Sequence, residues 1–267
     1  MALRPSTIGA WTLCPKRVEF ADEQRKYPSY AMSRGSLLHA RIEHKLDNGY
    51  SFSWRGEYDD IVMKDTDEAV SIDDLPAKLV GTLIGEVDAA YATWKNQVFP
   101  TIAAYGDDLV IEKTLERELD PGHTVSGTPD LVIPGEKHII DWKTAGRQWK
   151  PAKAVGELQP PAYTWLNGWD TAKFSFVVCD MSNFEWAWHT VYVTPEQTYA
   201  WVDLATDVHN AIDAGIYPAT PTGQSWTGVR GWHCSPKYCA GWNNCEAKHL
   251  IADGQAIEIR NPQGEWK

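Results

Sequence analysis

The sequence predicts an α/β protein in which a central mixed β-sheet is flanked by helices. Three observations predict it. Apolar residues recur at helical spacing in the N-terminal third, the middle of the chain changes to short β-branched runs broken by Pro-Gly pairs, and helix-like and strand-like segments then alternate. With 267 residues, 43% of them hydrophobic, the chain is long enough for one large domain with a helical elaboration. We divide that single domain into an N-terminal helical region (1–105), a core (106–214) and a cysteine-containing tail (215–267).

Residues 6–17 read as a short helix with Ser6 as N-cap, running into Cys14-Pro15. Residues 34–47 read as a second helix, and 73–104 as a longer helical region in which Leu75, Leu79, Leu83, Val87 and Tyr91 share a face. Residues 109–119, 124–133 and 137–143 are separated by Pro121-Gly122 and Pro134-Gly135, so they predict a three-stranded antiparallel meander. A helix over 155–167, strands over 173–180 and 184–193 and a helix over 195–214 follow. From Gly215 onward the chain reads as loop, and Cys179, inside the apolar strand, reads as a buried core thiol.

The most informative segment is Gly127-Thr128-Pro129-Asp130, followed after ten residues by Asp141-Trp142-Lys143. With Asp130 at the end of one strand and Asp141 on the next, a hairpin register brings the two carboxylates together, and residues 141 and 143 share a face. Hard oxygen ligands suit magnesium or manganese, and a neighbouring ammonium can orient or help deprotonate an attacking water. A metal there would stabilise the charge that develops on a phosphate under attack. Taken singly the pieces have plainer readings: His39 as a packing or surface residue, Gln159 and Tyr163 as neighbours on a packing face, Glu43 as a solvent-exposed carboxylate.

Several motifs occur together and in order, however. In that order Arg34-Gly35-Ser36-Leu37-Leu38-His39, Gly127 to Asp130, Asp141-Trp142-Lys143 and Gln159 to Tyr163 resemble the PD-(D/E)XK nuclease superfamily, and within it the RecB-type and CRISPR-associated iron–sulphur exonucleases. The resemblance implies a restriction-endonuclease-like core. It further implies that His39, Asp130 and Asp141 bind metal with the carbonyl of Trp142, that Lys143 acts on the water, and that Gln159 and Tyr163 position DNA or support the lysine.

A formal charge of -11 argues against a protein that coats nucleic acid non-specifically, since phosphate neutralisation drives such binding. It is compatible with a nuclease that gathers carboxylates around metal and keeps its basic residues local. Lys143, Arg147, Lys150 and Lys153 form the clearest such segment, read either as a DNA-facing path or as a solvated loop. Of the 14 Trp, Trp142 and Trp149 lie close enough to the motifs to stack on bases. No run approaches the ~18–20 apolar residues of a membrane helix and the N-terminus lacks a signal-peptide layout, so a soluble, cytoplasmic protein of a bacterial cell or phage-infected host is expected.

Five cysteines are unevenly placed: Cys14 near the start, Cys179 in the core, and Cys234, Cys239 and Cys245 in the tail. A tight cluster in an intracellular protein reads as a metal site, and thiolates select zinc or iron–sulphur. The resemblance, which includes the proline after the first cysteine, implies a [4Fe-4S] cluster on Cys14, Cys234, Cys239 and Cys245. Spacings of four and then five residues depart from the family's tighter first gap and leave His233 as a substitute ligand. Such a cluster would tie the chain ends together and act structurally.

The expected function is therefore a Mg2+- or Mn2+-dependent deoxyribonuclease acting in DNA recombination, repair or replication of a bacterium or phage. Exonuclease action, a preference for single-stranded ends, a homo-oligomer and partner proteins of recombination or replication rest on the resemblance alone. The alternatives are a DNA-binding module with a decayed site and a zinc-stabilised structural protein.

Overall fold

The computed structural model describes residues 2–20, 30–47, 60–62, 69–71, 77–218, 239 and 244–245. Its N-terminal part holds helices α1 (Pro5–Leu13), α2 (Lys16–Glu19) and α3 (Tyr30–Asp47), a small antiparallel pair β1 (Asp60–Val62) and β2 (Ala69–Ser71), and helices α4 (Ala77–Gln97) and α5 (Phe99–Ala103). Strands β3 (Val110–Ile111), β4 (Leu115–Asp120), β5 (His123–Gly127), β6 (Leu131–Ile133) and β7 (His138–Ala145) follow. After them come α6 (Pro151–Val155), α7 (Gln159–Leu166), β8 (Ala172–Asp180), β9 (Glu185–Val193) and α8 (Pro195–Asp213).

The main sheet has the order β3-β6-β7-β8-β9. β7 and β8 run parallel, joined through α6 and α7, and the other neighbours are antiparallel, so the sheet is mixed as expected. A parallel pair needs a crossover that covers a face of the sheet, which is why β8 is apolar and buried along nearly its whole length. One face packs against α3, α4 and α5: Leu38 and Ile42 of α3 and Trp94 of α4 meet Ile140, Trp142 and Val177. Trp94 and Trp142 touch edge to face at 6.0 Å. Each such fully buried side chain contributes roughly 1.5–3 kcal/mol by leaving water. Cys179 lies in this core, fully buried, and burial pushes its thiol up to about 12.

The antiparallel pairings of the expected meander form, but they are divided between two sheets. The run 109–119 splits into β3 of the main sheet and β4, and the run 124–133 splits into β5 and β6. β4 and β5 pair with each other as a separate hairpin. Thr128-Pro129-Asp130 causes the second break, because proline has no N–H to give a ladder. Prolines also set other boundaries. Pro15 stops α1 and opens α2, Pro5 rather than Ser6 begins α1, and Pro100 ends the long helix so that α5 starts afresh.

The chain divides into two compact units, one of Met1–Ile8 and Arg25–Asn210, the other of Gly9–Gln24 and Ala211–Lys267. The first contains both sheets that carry the motif residues. The second contains Cys14, Cys239 and Cys245, and within it Trp11 and Tyr217 meet with ring centroids 5.6 Å apart. Among the described residues no helix is long and apolar enough to cross a membrane.

Candidate active site

The register of the main sheet assembles the site. Leu131 pairs with Ile140, so the next residue back, Asp130, faces Asp141; Ile111 pairs with Leu131, so Glu112 faces Asp130. Directly opposed residues share a face of the sheet, and three carboxyls from three adjacent strands thus form a row. A hydrogen bond from the Glu112 N–H to the Asp130 carbonyl, 3.2 Å, extends the ladder to this row. Asp130 precedes β6 rather than ending a strand, and its Oδ2 accepts the Trp142 N–H at 2.6 Å, which locks its carboxyl over β7. Lys143, two residues beyond Asp141, shares its face, and its Nζ lies 2.6 Å from Asp141 Oδ2.

His39 reaches the row from α3, with Nδ1 3.6 Å from Asp130 Oδ2. The helix can come this close because residue 35 is glycine: a Cβ there would stand 2.9 Å from Thr144 Oγ1 of β7. The motif glycine Gly127 has the same kind of reason, since its Cβ would fall 2.8 Å from Tyr163 Cε1 and 3.1 Å from Leu166 Cδ1. Tyr163, stacked on Phe174, gives its hydroxyl to the Thr128 carbonyl at 3.1 Å, and Gln159 gives Nε2 to Asp141 Oδ1 at 3.4 Å. Both α7 residues are thus anchored to the carboxylate-bearing segments.

Burial and mutual charge set the protonation states. Burial raises Asp141, helped by Asp130 and opposed by Lys143, to about 6. Burial pushes Asp130 up too, but the His39 ring, the Lys143 ammonium and the Trp142 N–H outweigh it and hold its carboxyl below the ordinary range. Burial opposes charge on Lys143 and on His39. The aspartates nevertheless raise both, so the lysine remains an ammonium. Burial drives Tyr163 upward as well, with Asp141 and Asp130 adding to it, so its hydroxyl stays a neutral donor. Glu112 rises to about 8 through burial and the nearness of Asp130 and Glu43. It was missed in the sequence because residues 109–119 read as one continuous strand with no reason to single out a turn. Glu43 itself is exposed.

Trp142 does not offer a stacking surface to bases: it is 1% exposed and belongs to the core. Even positions of β7, Ile140 and Trp142, face α3 and α4, while Asp141 and Lys143 face the site, and closeness in sequence does not fix which side a strand residue takes. Trp149 lies under Lys153, whose Nζ is 4.0 Å from its ring centroid, and against Phe176. Its loop is pinned by Gln148, which gives its N–H to Asp180 Oδ2 at 2.9 Å and accepts at Oε1 from the Trp149 N–H. Arg147, Lys150 and Lys153 are exposed.

The row fits a hard divalent cation. Its donors are carboxylate oxygens and one imidazole, and Asp141 Oδ2 is buried without an aligned hydrogen bond although Lys143 stands beside it. Among the described residues, no three His, Cys, Asp or Glu side chains form a ready-made metal-holding group. Of the four tail-cluster candidates, Cys14 and Cys245 are buried and Cys239 is half-buried, while Cys234 and its substitute His233 lie outside the described residues.

Asp130, Asp141 and Lys143 thus meet on one sheet face, with His39 reaching them from α3. The family profile of the PD-(D/E)XK nuclease superfamily matches residues 3–246, and the chain belongs to that superfamily. No curated protein matches the sequence. Among solved structures, a candidate exonuclease of Eubacterium rectale is similar at 12% identity with a TM-score of 0.52, covering 97% of this chain and 91% of its own. A phage-related exonuclease of Haemophilus somnus 129PT aligns at 15% identity and a TM-score of 0.35, covering 80% of this chain and 96% of its own. A protein named SSO0001 aligns at 16% identity and a TM-score of 0.44, covering 92% and 86%.

Proposed function

We propose that the chain is a Mg2+- or Mn2+-dependent DNA exonuclease that acts from single-stranded ends. The observation that carries this reading is the convergence of Asp130 and Asp141 from neighbouring strands with Lys143 on the same face. Asp130, Asp141 and His39 would hold the ion with the Trp142 carbonyl, and the bound ion would supply a Lewis acid for the scissile phosphate and lower the pKa of its water. Lys143 remains an ammonium between the aspartates, where it orients the attacking oxygen and offsets charge on the phosphate. Gln159 and Tyr163 fix the carboxylates rather than touching the reacting atoms, and Arg147, Lys150 and Lys153 offer exposed positive charge for the DNA backbone. End-directed action accords with the name carried by the similar E. rectale protein.

We further propose that the chain works as one nuclease domain whose tail is fastened by a [4Fe-4S] cluster on Cys14, Cys234, Cys239 and Cys245, inside a bacterial cell or phage-infected host during recombination, repair or replication of DNA. The grouping of the Cys14 segment with the tail in one compact unit supports the split ligand set. An anaerobic digestion series with 5′- and 3′-labelled single- and double-stranded DNA tests the end-directed reading. Mononucleotides are expected from linear single strands, with closed circular single strands left intact; cutting of the circles contradicts it.

A further inference from the structure

Trp149 lies in the connection that follows β7, yet it is pinned from several sides. Its neighbour Gln148 gives its N–H to Asp180 Oδ2 at 2.9 Å and its Nε2 to the Val178 carbonyl at 3.2 Å. Gln148 Oε1 accepts from the Trp149 N–H at 3.1 Å and from His189 Nε2 at 3.0 Å. The half-buried indole packs on Phe176 with ring centroids 5.2 Å apart and on His189 at 6.3 Å. Register sets Phe176 across from Asp141 and His189 across from Phe176, so these three share one face of the sheet. Trp149 therefore stands on the face that carries the carboxylates, beside the row and outside it.

Each of the two touching rings has an ammonium over it. Lys143 Nζ is 6.0 Å from the Phe176 centroid, and Lys153 Nζ is 4.0 Å from that of Trp149. The ring quadrupole attracts the cation to the indole face, while Lys153 stays exposed and open to a ligand. Arg147 and Lys150, exposed in the same stretch, have no such ring under them among the described residues. A seated ammonium has given up rotamer freedom before a ligand arrives, so less ordering entropy remains to be lost on binding.

We propose that Trp149 seats Lys153 as the receptor for one backbone phosphate of single-stranded DNA, next to the phosphate that Lys143 faces. This rests on the nuclease reading of the neighbouring row. Lys153 binds the phosphate, and Trp149 is a positioning residue: the lysine covers the indole face that a base would otherwise stack on. The strand is thereby held at two points on one sheet face, one at the reacting group and one beside it, which fixes its register on the site without reading its sequence.

The test is the affinity of the full chain for a labelled single-stranded oligonucleotide, read by fluorescence anisotropy across a salt series with Ca2+ in place of Mg2+, the strand confirmed intact on a gel. Lys153→Met, Trp149→Leu, Trp149→Phe and the double variant Trp149→Leu/Lys153→Met are compared with the parent. Lys137→Asn is the control: it removes an exposed charge at the opposite end of β7 from Lys143, and asparagine suits the left-handed backbone there. Lys153→Met and Trp149→Leu are each expected to bind about three- to tenfold more weakly and to flatten the salt dependence by about 0.7 in log-log slope, the loss of one phosphate contact. The double variant should be no weaker than either single one, because the two residues act as a unit. Trp149→Phe should keep the parent's slope, as should Lys137→Asn. Lys153 is exposed, so its variant keeps the fold if Trp149→Leu does not. A parent-like slope in Lys153→Met, or losses that add in the double variant, overturns the subsite and leaves the nuclease reading standing. Weakening in Trp149→Leu alone overturns it in favour of base stacking on the ring. A parent that binds no single-stranded DNA overturns both.

Discussion

At the scale of single residues, the site is a contest between desolvation and charge, and the winner differs from one aspartate to its neighbour. Asp130 has His39, Lys143 and a backbone N–H to hold it ionised, whereas Asp141, more deeply buried in the sheet, is pushed up to about 6. Because Asp141 is raised above its ordinary 3.8, the stability it contributes without metal is full below that value and fades as pH climbs through 6. Asp130 has the opposite sign: its contribution is present above its ordinary value and is lost as pH falls through its lowered one. Metal binding needs both ionised and His39 neutral. Mn2+ affinity should therefore weaken by about tenfold or more between pH 7 and pH 5, as Asp141 takes up a proton. Titrations at several pH values check this, and an affinity flat across that range contradicts the assignment of Asp141 as a ligand.

At the scale of elements, helices and the long strands were legible because their signals are periodic and local. α3, β8, β9 and α8 each lie within a few residues of expectation, and the pairing of residues 131–133 with 138–140 followed from Pro134-Gly135. The motif spacing alone placed Asp130 against Asp141. What the sequence hid were the interruptions. Residues 109–119 are uniformly strand-like, yet the chain bends at Glu112 and sends its two halves to different sheets. That bend is set by tertiary partners, Leu131 and Val132 on one side and β5 on the other. The same bend made Glu112 invisible as a site residue. Gly35 and Gly127 could be seen in the motifs, but their reason, the closeness of Thr144 and Tyr163, exists only in the folded chain.

At the scale of the whole molecule, membership of the PD-(D/E)XK superfamily and the mixed sheet account for the placement of the carboxylates, while the cysteines bear on the chain ends. A cluster on Cys14 and the tail would close a loop of more than two hundred residues, and such long closures constrain the unfolded chain most. Protein purified without oxygen should be brown and absorb broadly in the visible, and Cys14→Ala should lose iron and melt at lower temperature. A colourless protein holding zinc contradicts the cluster and leaves the nuclease site untouched.

The central claim is that Asp130, Asp141 and Lys143 act together on a phosphodiester through a divalent ion. Its most direct measurement is the rate of digestion of end-labelled single-stranded DNA in Mg2+ or Mn2+ by the parent, Asp141→Asn and Lys143→Ala, each confirmed as folded by its melting curve. The parent should digest only with the metal present, and each variant should be slower by at least about 100-fold. Folded variants that digest DNA at the parent's rate would contradict it.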